Sequence, residues 1–310
     1  MARKESTFKK QFAKTIALII GFSVLALNFT PPALACTLWG AAGEKVEGGG
    51  TLIAKNRDWE PTQVQEIKRI VPRDGFRYLG LYASDEEGTG LKAGINEKGL
   101  VVVTATASVV PDERRSNPQK KTISTAEILK TCTTVEEVTG QLDRFTHAAF
   151  YLVADKNKVA VIEVGPGGKA TASITENGTI AQTNHYLNEQ LRILNKKVSK
   201  SSRVRYDRIR ELLSKDPDGL TLDDFVAFSE DKNAGPDNSI CRTGGSPTRS
   251  RTLATWIIEN PANGNPRLYL KVANPNEPQK TVRLSLDENF WKGTPRGDKA
   301  AGANTESPTA

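Results

Sequence analysis

The sequence predicts an α+β fold in which helices pack on antiparallel sheets. Short apolar and β-branched runs, separated by glycine-rich or asparagine-rich turns, fill both the first and the last thirds of the chain after its N-terminal leader. Apolar residues at helical spacing are confined to two patches, within 124–145 and 201–229. No repeat of 20–50 residues is visible. Strand-rich outer segments that enclose helical patches are typical of α+β layering.

The first elements form a predicted hairpin. The run CTLWGAAG from Cys36 leads through Gly48-Gly49-Gly50 into TLIA and then KNRDW. A glycine run between two apolar stretches indicates a turn between strands. Asn96-Glu97-Lys98-Gly99 predicts a tight turn between two later strands. The strands predicted in this half are 66–71, 76–82, 91–95 and 100–110.

The second half alternates helices and strands. Residues 112–121 are polar and predict a loop. Thr133 and Thr134, with Glu136 and Glu137 behind them, resemble a capped helix start. The predicted helices are 124–130, 134–145, 201–213 and 222–229. The predicted strands are 149–154, 159–164, 170–175, 180–183, 253–259, 267–272 and 281–286.

The chain begins like an exported protein. Residues 1–14 are basic, residues 15–29 form an apolar run too short for a comfortable bilayer span, and Ala33-Leu34-Ala35 supplies small residues for a signal peptidase. We therefore expect a cleavable leader at 1–35, one domain at 36–292 and a disordered tail at 293–310. The expected location is secreted or periplasmic, without stable membrane insertion after cleavage.

Cleavage after Ala35 would make Cys36 the first residue, and two interpretations of this cysteine compete. In a bacterial lipoprotein the cysteine after the leader carries a lipid, but that pathway prefers leucine where this chain has Ala33. In the other interpretation Cys36 is an N-terminal nucleophile whose own α-amine takes the thiol proton. A lipidated Cys36 would indicate a ligand-binding protein without catalysis.

Composition excludes several partners and cofactors. The predicted leader holds five of the 43 Lys and Arg residues and one of the 36 Asp and Glu residues. The rest of the chain therefore has 38 basic and 35 acidic residues. The RVRYDRIR stretch at 203–210 spreads its arginines around a helix and is interpreted as a solvated face, so no nucleic-acid partner is expected. With two histidines and no CxxC, we expect no metal and no cofactor. A disulfide between Cys132 and Cys241 is weighed against two buried free thiols.

Four motifs stand in order: Cys36-Thr37, Asn56-Arg57-Asp58-Trp59, Asn96-Glu97-Lys98-Gly99-Leu100 and Thr183-Asn184-His185-Tyr186. This series resembles the cysteine N-terminal-nucleophile (Ntn) hydrolases, which include choloylglycine hydrolases, penicillin V acylases and isopenicillin N acyltransferases. It is closer to the acyltransferase side, through TNH and a later Ser-Arg-Thr-Leu stretch. The resemblance implies a four-layer αββα sandwich and hydrolysis of a linear, non-peptide amide, with an acyltransferase of the same mechanism as the alternative.

The resemblance also implies site roles. Cys36 is the expected nucleophile, Asp58 orients its amine, and Asn184 donates to the oxyanion. The family places a basic residue beside the thiol, where this chain has Lys55 followed by Arg57. The assisting downstream arginine matches best at Arg249, with Arg251 and Arg203 as competitors. A second oxyanion contact falls near Thr104 or Thr106.

Two points remain open in the sequence. His185 could act as the base for Cys36 in a Cys–His dyad, although shaping the pocket beside Asn184 is the preferred interpretation. The expected substrate is a small N-acyl amide with a compact or aliphatic acyl group. Its pocket is predicted from the loops 57–65, 78–86 and 109–117. A homo-oligomer is left open.

Overall fold

Two antiparallel sheets form the body of the fold. The computed structural model describes residues 35–85, 88–116, 121–215 and 219–293. The predicted leader, except Ala35, and all but the first residue of the predicted tail lie outside these ranges. The thirteen strands of the two sheets are β1 (Ala35–Ala42), β2 (Gly50–Trp59), β3 (Val64–Ile70), β4 (Tyr78–Asp85), β5 (Gly88–Asn96), β6 (Val101–Thr106), β7 (Ala149–Ala154), β8 (Val159–Val164), β9 (Ala170–Thr175), β10 (Gly178–Gln182), β11 (Arg251–Pro261), β12 (Arg267–Val272) and β13 (Lys280–Ser285).

The six-stranded sheet has the order β10-β1-β2-β11-β12-β13, and the seven-stranded sheet has β3-β4-β5-β6-β7-β8-β9. In the six-stranded sheet, Ala35 of β1 lies opposite Asp58 of β2, and Cys36 lies opposite Arg57. Because side chains alternate across a strand, Cys36 and Arg57 share one face while Ala35 and Asp58 share the other. The register therefore decides which charged groups can meet the thiol.

Six α-helices, besides four short 3-10 helices, complete the described elements. They are α1 (Asp112–Arg115), α2 (Thr125–Thr131), α3 (Val135–Thr139), α4 (Lys200–Leu213), α5 (Leu222–Ser229) and α6 (Glu288–Lys292). Thr134 caps α3 by accepting a hydrogen bond from the Glu137 amide, and Thr133 donates to the Glu137 carboxylate. The predicted capped start is confirmed. The helix predicted over 134–145 ends earlier, at Thr139, because Gly140 follows it.

Three apolar clusters separate the layers. Leu38 and Trp256 of the six-stranded sheet pack with Val103 and Phe150 of the seven-stranded sheet, between the two sheets. The outer face of the seven-stranded sheet packs on α2 and α3. The outer face of the six-stranded sheet packs on α4 and α5, as in the contact of Trp39 with the helices. The layers run helix, sheet, sheet, helix, and the predicted αββα sandwich is confirmed.

Glycines allow the first hairpin to close. Gly48, Gly49 and Gly50 all have positive φ, and a Cβ at Gly50 would lie 2.4 Å from the Asn260 carbonyl oxygen. Only glycine fits that backbone approach without displacement. The predicted turn at 96–99 is held by Asn96, whose Oδ1 accepts from the amides of Lys98 and Leu100.

The cysteines are not bonded to one another. Cys36, Cys132 and Cys241 are all free and buried. Cys132 packs beneath the seven-stranded sheet, whereas Cys241 lies near Glu230 beside the other sheet. The weighed disulfide between Cys132 and Cys241 is therefore wrong, and both are buried thiols. No helix in the described ranges has the length and apolar character needed to cross a membrane.

Candidate active site

Cys36 lies at the second position of β1, with 3% of its surface exposed. Its backbone nitrogen donates to Asn184 Oδ1 at 3.1 Å. Its side chain lines a cavity between the two sheets. Strand β1 pairs with β2 at Cys36 itself and with β10 from Leu38 onward, so the thiol and the nitrogen of Cys36 are held in defined directions.

Asn184 follows the end of β10 and is held on three sides. Its Nδ2 donates to the Thr106 carbonyl oxygen at 2.9 Å, and its backbone amide donates to the Ser202 hydroxyl at 3.1 Å. Its Oδ1 accepts from both Cys36 N and Arg205 Nη2. One N–H of the side-chain amide is used by Thr106, which leaves the second N–H for a substrate oxygen.

Arg205 of α4 is the largest departure from the sequence interpretation. It is fully buried, not solvated, and its Nη1 donates to the Cys36 carbonyl oxygen at 2.6 Å and to Thr37 Oγ1 at 2.8 Å. Burial lowers its pKa to about 10, against the effect of Asp58. The sequence does contain a pattern that indicates this burial. Arg205 lies four residues before Ile209, on the same helix face as the buried Leu212 and Leu213.

Asp58 lies on the opposite face of β2 from the cavity. Its Oδ1 accepts from the Thr252 hydroxyl at 2.7 Å, and its buried Oδ2 has no hydrogen-bond partner among the described residues. Burial raises its pKa, while the charges of Arg242 and Arg205 oppose that change. Arg242 is itself buried, and the sequence interpretation missed it because it follows Cys241 in a loop without a periodic pattern.

Lys55 and Arg57 share the cavity face with Cys36. Lys55 Nζ donates to the carbonyl oxygens of Lys92 at 2.9 Å and Thr104 at 2.5 Å. Burial lowers the pKa of Lys55 to about 7, and the nearby Cys36 acts in the opposite direction. Arg57 Nε donates to Gln65 Oε1 at 2.9 Å, and its guanidinium stacks 4.8 Å from the Trp59 ring centre.

The cavity beside Cys36 has a volume of about 210 Å³. Residues of the seven-stranded sheet and of α2 form most of its wall. Of the loops predicted to form the pocket, only Arg57 and Trp59 are among the described residues that line the cavity, and no described residue of 78–86 or 109–117 does so. The described residues that line the cavity are Cys36, Lys55, Arg57, Trp59, Leu91, Lys92, Thr104, Ala105, Thr106, Thr125, His147, Ala149 and Tyr151.

The structure does not bring the predicted downstream arginines to Cys36. Arg249 is exposed in a turn where its amide donates to the Ser246 carbonyl oxygen, and Arg203 is exposed on α4. Arg251 is half-buried, and its Nη2 donates to the Pro247 carbonyl oxygen at 3.1 Å. The sequence analysis chose Arg249 as the assisting arginine from a local motif match. The buried arginines near the site are instead Arg205 and Arg242, which the packing of α4 and of the loop before β11 brings there.

His185 faces α4 instead of the cavity. Its Nδ1 lies 2.8 Å from the Ser202 hydroxyl and 3.2 Å from Thr183 Oγ1, and its ring packs edge-on against Tyr206. Burial lowers its pKa. Its backbone carbonyl accepts from Gln182 Nε2. The ring is therefore engaged in holding the 183–185 segment against α4, which positions Asn184.

The layers and the strand order, with Cys36 at the start of an inner strand, are those of the N-terminal-nucleophile hydrolase fold. The family model "Acyl-coenzyme A:6-aminopenicillanic acid acyl-transferase" matches residues 46–277. The chain belongs to this family, and it is an enzyme of the acyl-amide hydrolase and acyltransferase class. The predicted family is confirmed. No curated protein matches the chain.

Solved structures share the fold at low identity. An arginine-to-leucine variant of conjugated bile acid hydrolase from Clostridium perfringens aligns with TM-score 0.53 and 15% identity, over 80% of this chain and 92% of that chain. A cysteine-to-alanine mutant of the same enzyme aligns with TM-score 0.51 and 14% sequence identity, over 81% of this chain and 92% of that chain. Penicillin V acylase from Agrobacterium tumefaciens aligns with TM-score 0.51 and 18% sequence identity, over 81% of this chain and 86% of that chain.

Proposed function

We propose that the chain is an exported amidohydrolase that cleaves a linear, non-peptide N-acyl amide through Cys36 as its N-terminal residue. One observation carries the proposal: the Cys36 nitrogen is hydrogen-bonded to Asn184 while Cys36 also lines a partly open cavity. In this proposal residues 1–35 are a leader removed on export, 36–292 form the catalytic domain and 293–310 form a tail. The mature enzyme is secreted or periplasmic.

In the proposed reaction, one proton moves between the Cys36 thiol, the Cys36 α-amine and the leaving amine. The Cys36 thiol loses its proton to its own α-amine, and the thiolate attacks the amide carbonyl carbon. The amine product takes that proton as the C–N bond breaks, which leaves a thioester on Cys36. Water, deprotonated by the same α-amine, then releases the acid and restores the thiol. A lysine with a pKa near 7 beside the sulfur favours the thiolate whenever it is protonated.

Asp58 and Asn184 have complementary roles in this proposal. Ala35 lies opposite Asp58 in the strand register, so removal of Ala35 exposes the α-amine of Cys36 next to a buried carboxylate oxygen that has no partner among the described residues. Asn184 Oδ1 accepts from the same nitrogen. The second N–H of the Asn184 side chain would then stabilise the oxyanion, a contact typically worth about 10²–10³ in rate.

The family description favours one second candidate, an acyltransferase. In that reaction an acceptor amine, instead of water, attacks the Cys36 thioester. The chemistry up to the thioester is the same, so product analysis with and without added amine separates the two. Release of free acid at an unchanged rate in the presence of amines supports the hydrolase. A non-catalytic lipoprotein is disfavoured because Cys36 is buried in a paired strand, where a lipid-bearing sulfur does not fit.

The test compares two forms of the protein that differ only at the N-terminus. Protein processed to begin at Cys36, verified by mass spectrometry, is expected to hydrolyse N-acyl amides. Protein with one alanine retained before Cys36 is expected to lose nearly all turnover, because its nitrogen is an amide. Full activity with the alanine verified in place would contradict the mechanism and would return attention to His185.

The substrate panel follows from the cavity. A volume of about 210 Å³ suits a compact or aliphatic acyl group. We propose testing penicillin V, N-acyl homoserine lactones, conjugated bile salts and N-acyl amino acids against an unmodified peptide. Turnover of the peptide alone would contradict the proposed substrate class.

A further inference from the structure

A basic surface segment follows Asn184, between β10 and the start of α4. Residues 187–200 contain four Lys or Arg and one acidic residue, Glu189, in a chain whose charge is otherwise nearly balanced. The same segment contains Ile193, whose side chain is 85% exposed, the highest value among the large exposed hydrophobic residues of the described ranges. An exposed apolar side chain by itself needs no explanation, but this one stands among cations.

The backbone of the 187–200 segment is anchored, so the exposure of Ile193 is built into the fold. Leu191 is buried between the two sheets, and Leu194 packs against the same apolar cluster. The Asn195 side chain accepts from the Tyr186 amide at 2.9 Å and donates to the Tyr186 carbonyl oxygen at 2.7 Å. Because the leucines on both sides of the single helical turn face the core, the side chain between them is held toward solvent.

Three lysines of the segment present their charge to solvent. Lys196, Lys197 and Lys200 are exposed, and none of them forms an ion pair with a carboxylate in the part of the chain that the structure describes. Arg192 differs from them, because its charge acts on the buried Glu163 and opposes the rise in the pKa of that carboxyl that burial causes. The single acidic residue of the segment offsets at most one of the three lysine charges.

We infer that the 187–200 segment binds the surface of a bilayer that contains anionic phospholipids. Ile193 enters the boundary between headgroups and acyl chains, and Lys196, Lys197 and Lys200 face the headgroup phosphates. An anionic leaflet attracts lysines that come within a Debye length of it, and an apolar side chain in the interface adds to that attraction. A nucleic acid would also attract the lysines but offers no apolar layer to Ile193, so the isoleucine favours a bilayer.

Vesicle co-sedimentation tests the inference with protein that begins at Cys36, because the apolar run at 15–29 of the leader would itself bind lipid. All described strands and helices except Ala35 lie within this form. With about 30% phosphatidylglycerol in phosphatidylcholine, the partition coefficient is expected to be at least about tenfold higher than with phosphatidylcholine alone, and to fall as salt is added. Equal binding to both vesicles, or binding to neither, would overturn the inference.

Two variants separate the apolar and the charged contributions. Ile193→Ser is expected to weaken binding to the anionic vesicles about five- to tenfold, since it removes the side chain that enters the interface. The double variant Lys196→Gln/Lys197→Gln is expected to weaken it about 20-fold, because each lysine near an anionic leaflet contributes roughly fivefold.

Matched controls change exposed residues elsewhere on the fold. Val71→Ser removes an exposed apolar side chain, 53% accessible, just after the edge strand β3. Lys45→Gln/Lys156→Gln removes two exposed lysines from the turns after β1 and β7, at the other end of the sheets from Asn184. Both controls are expected to bind vesicles as the wild type does, and equal melting temperatures of all variants would show that weaker binding does not come from unfolding.

The variants also distinguish a bilayer from other anionic partners. If the Lys196→Gln/Lys197→Gln protein loses vesicle binding while Ile193→Ser keeps it, the segment is a general site for polyanions and the inference of a bilayer is overturned. If both test variants bind like the controls, another surface holds the lipid and the inference is overturned as well. The measurement needs no turnover, so its result stands whether or not the proposed hydrolysis is found.

Discussion

Replacing Arg205 by methionine should destabilise the protein and disable the site together. Arg205 is fully buried and donates to four acceptors: Cys36 O at 2.6 Å, Thr37 Oγ1 at 2.8 Å, Asn184 Oδ1 at 2.9 Å and Ser201 Oγ at 3.2 Å. Methionine fills a similar volume but donates to none of them. It also removes one of the cations that act on the buried carboxylate of Asp58.

The magnitude follows from the loss of one partner in a buried charged network. Hydrogen bonds from charged groups are worth about 1.5–3 kcal/mol each, but they share one side chain and do not add. Breaking a buried ion pair typically costs about 3–5 kcal/mol, which we adopt for the whole change in the free energy of unfolding. At roughly 2–4 °C per kcal/mol, the melting temperature should fall by about 6–20 °C.

Thermal unfolding followed by circular dichroism measures this change without any substrate. The matched control is Arg203→Met, two residues earlier on α4 and exposed, which should stay within about 0.5 kcal/mol of the wild type. Arg205→Lys should fall between them, because it keeps the charge but cannot bridge several acceptors with one planar group. If Arg205→Met and Arg203→Met unfold at the same temperature, the network around Cys36 contributes nothing and the reasoning is refuted.

Three further predictions concern the charges and thiols. Lys55→Met should flatten the rise of melting temperature with pH between about 7 and 10.5. In that window the unfolded chain binds a proton on Lys55 that the folded chain does not, so wild-type stability rises with pH by up to roughly 5 kcal/mol. An equal slope in the variant, measured at four pH values, would contradict this. Arg242→Met should reduce kcat/KM at least about tenfold, because the charge of Arg242 acts on Asp58. The control Arg249→Met, at an exposed position, should match the wild type. The reverse result would support Arg249 as the assisting arginine, as the sequence motif predicted. Burial raises the pKa of the Cys241 thiol, so iodoacetamide at pH 7 should leave it unlabelled by mass spectrometry, and Cys241→Ser should keep full activity.

The layers of the fold were predictable because they depend on local patterns. Apolar runs gave most strands within a few residues, and the amphipathic stripe gave the helix over 201–213, observed as Lys200–Leu213. The strand predicted over 100–110 ends at Thr106 because residues 107–110 form a turn, with the Val110 amide bonded to the Ala107 carbonyl oxygen. A β-branched composition does not mark where pairing with the neighbouring strand stops.

The site was predictable only in part, since it joins segments that are far apart in the chain. Cys36, Asp58 and Asn184 follow from ordered motifs, and the structure brings them to one end of the six-stranded sheet. Arg205 and Arg242 reach them through packing over sequence separations that no local pattern encodes. The apolar stripe of α4 indicates that Arg205 is buried, but it does not indicate which strand Arg205 contacts.

The two halves of the sandwich contribute different parts of the candidate active site. The groups around Cys36 come from β1, β2, the end of β10 and α4, whereas Leu91, Lys92, Thr125 and Tyr151 of the cavity wall come from the other half. In the proposed mechanism, changes in the wall alter which molecule is accepted without moving the Cys36 sulfur. Such a modular arrangement gives evolution, and an engineer, a region open to variation beside a region that must stay constant. A mutant library confined to β5, β6, β7 and α2 should therefore yield altered selectivity at a high rate among folded, reactive variants.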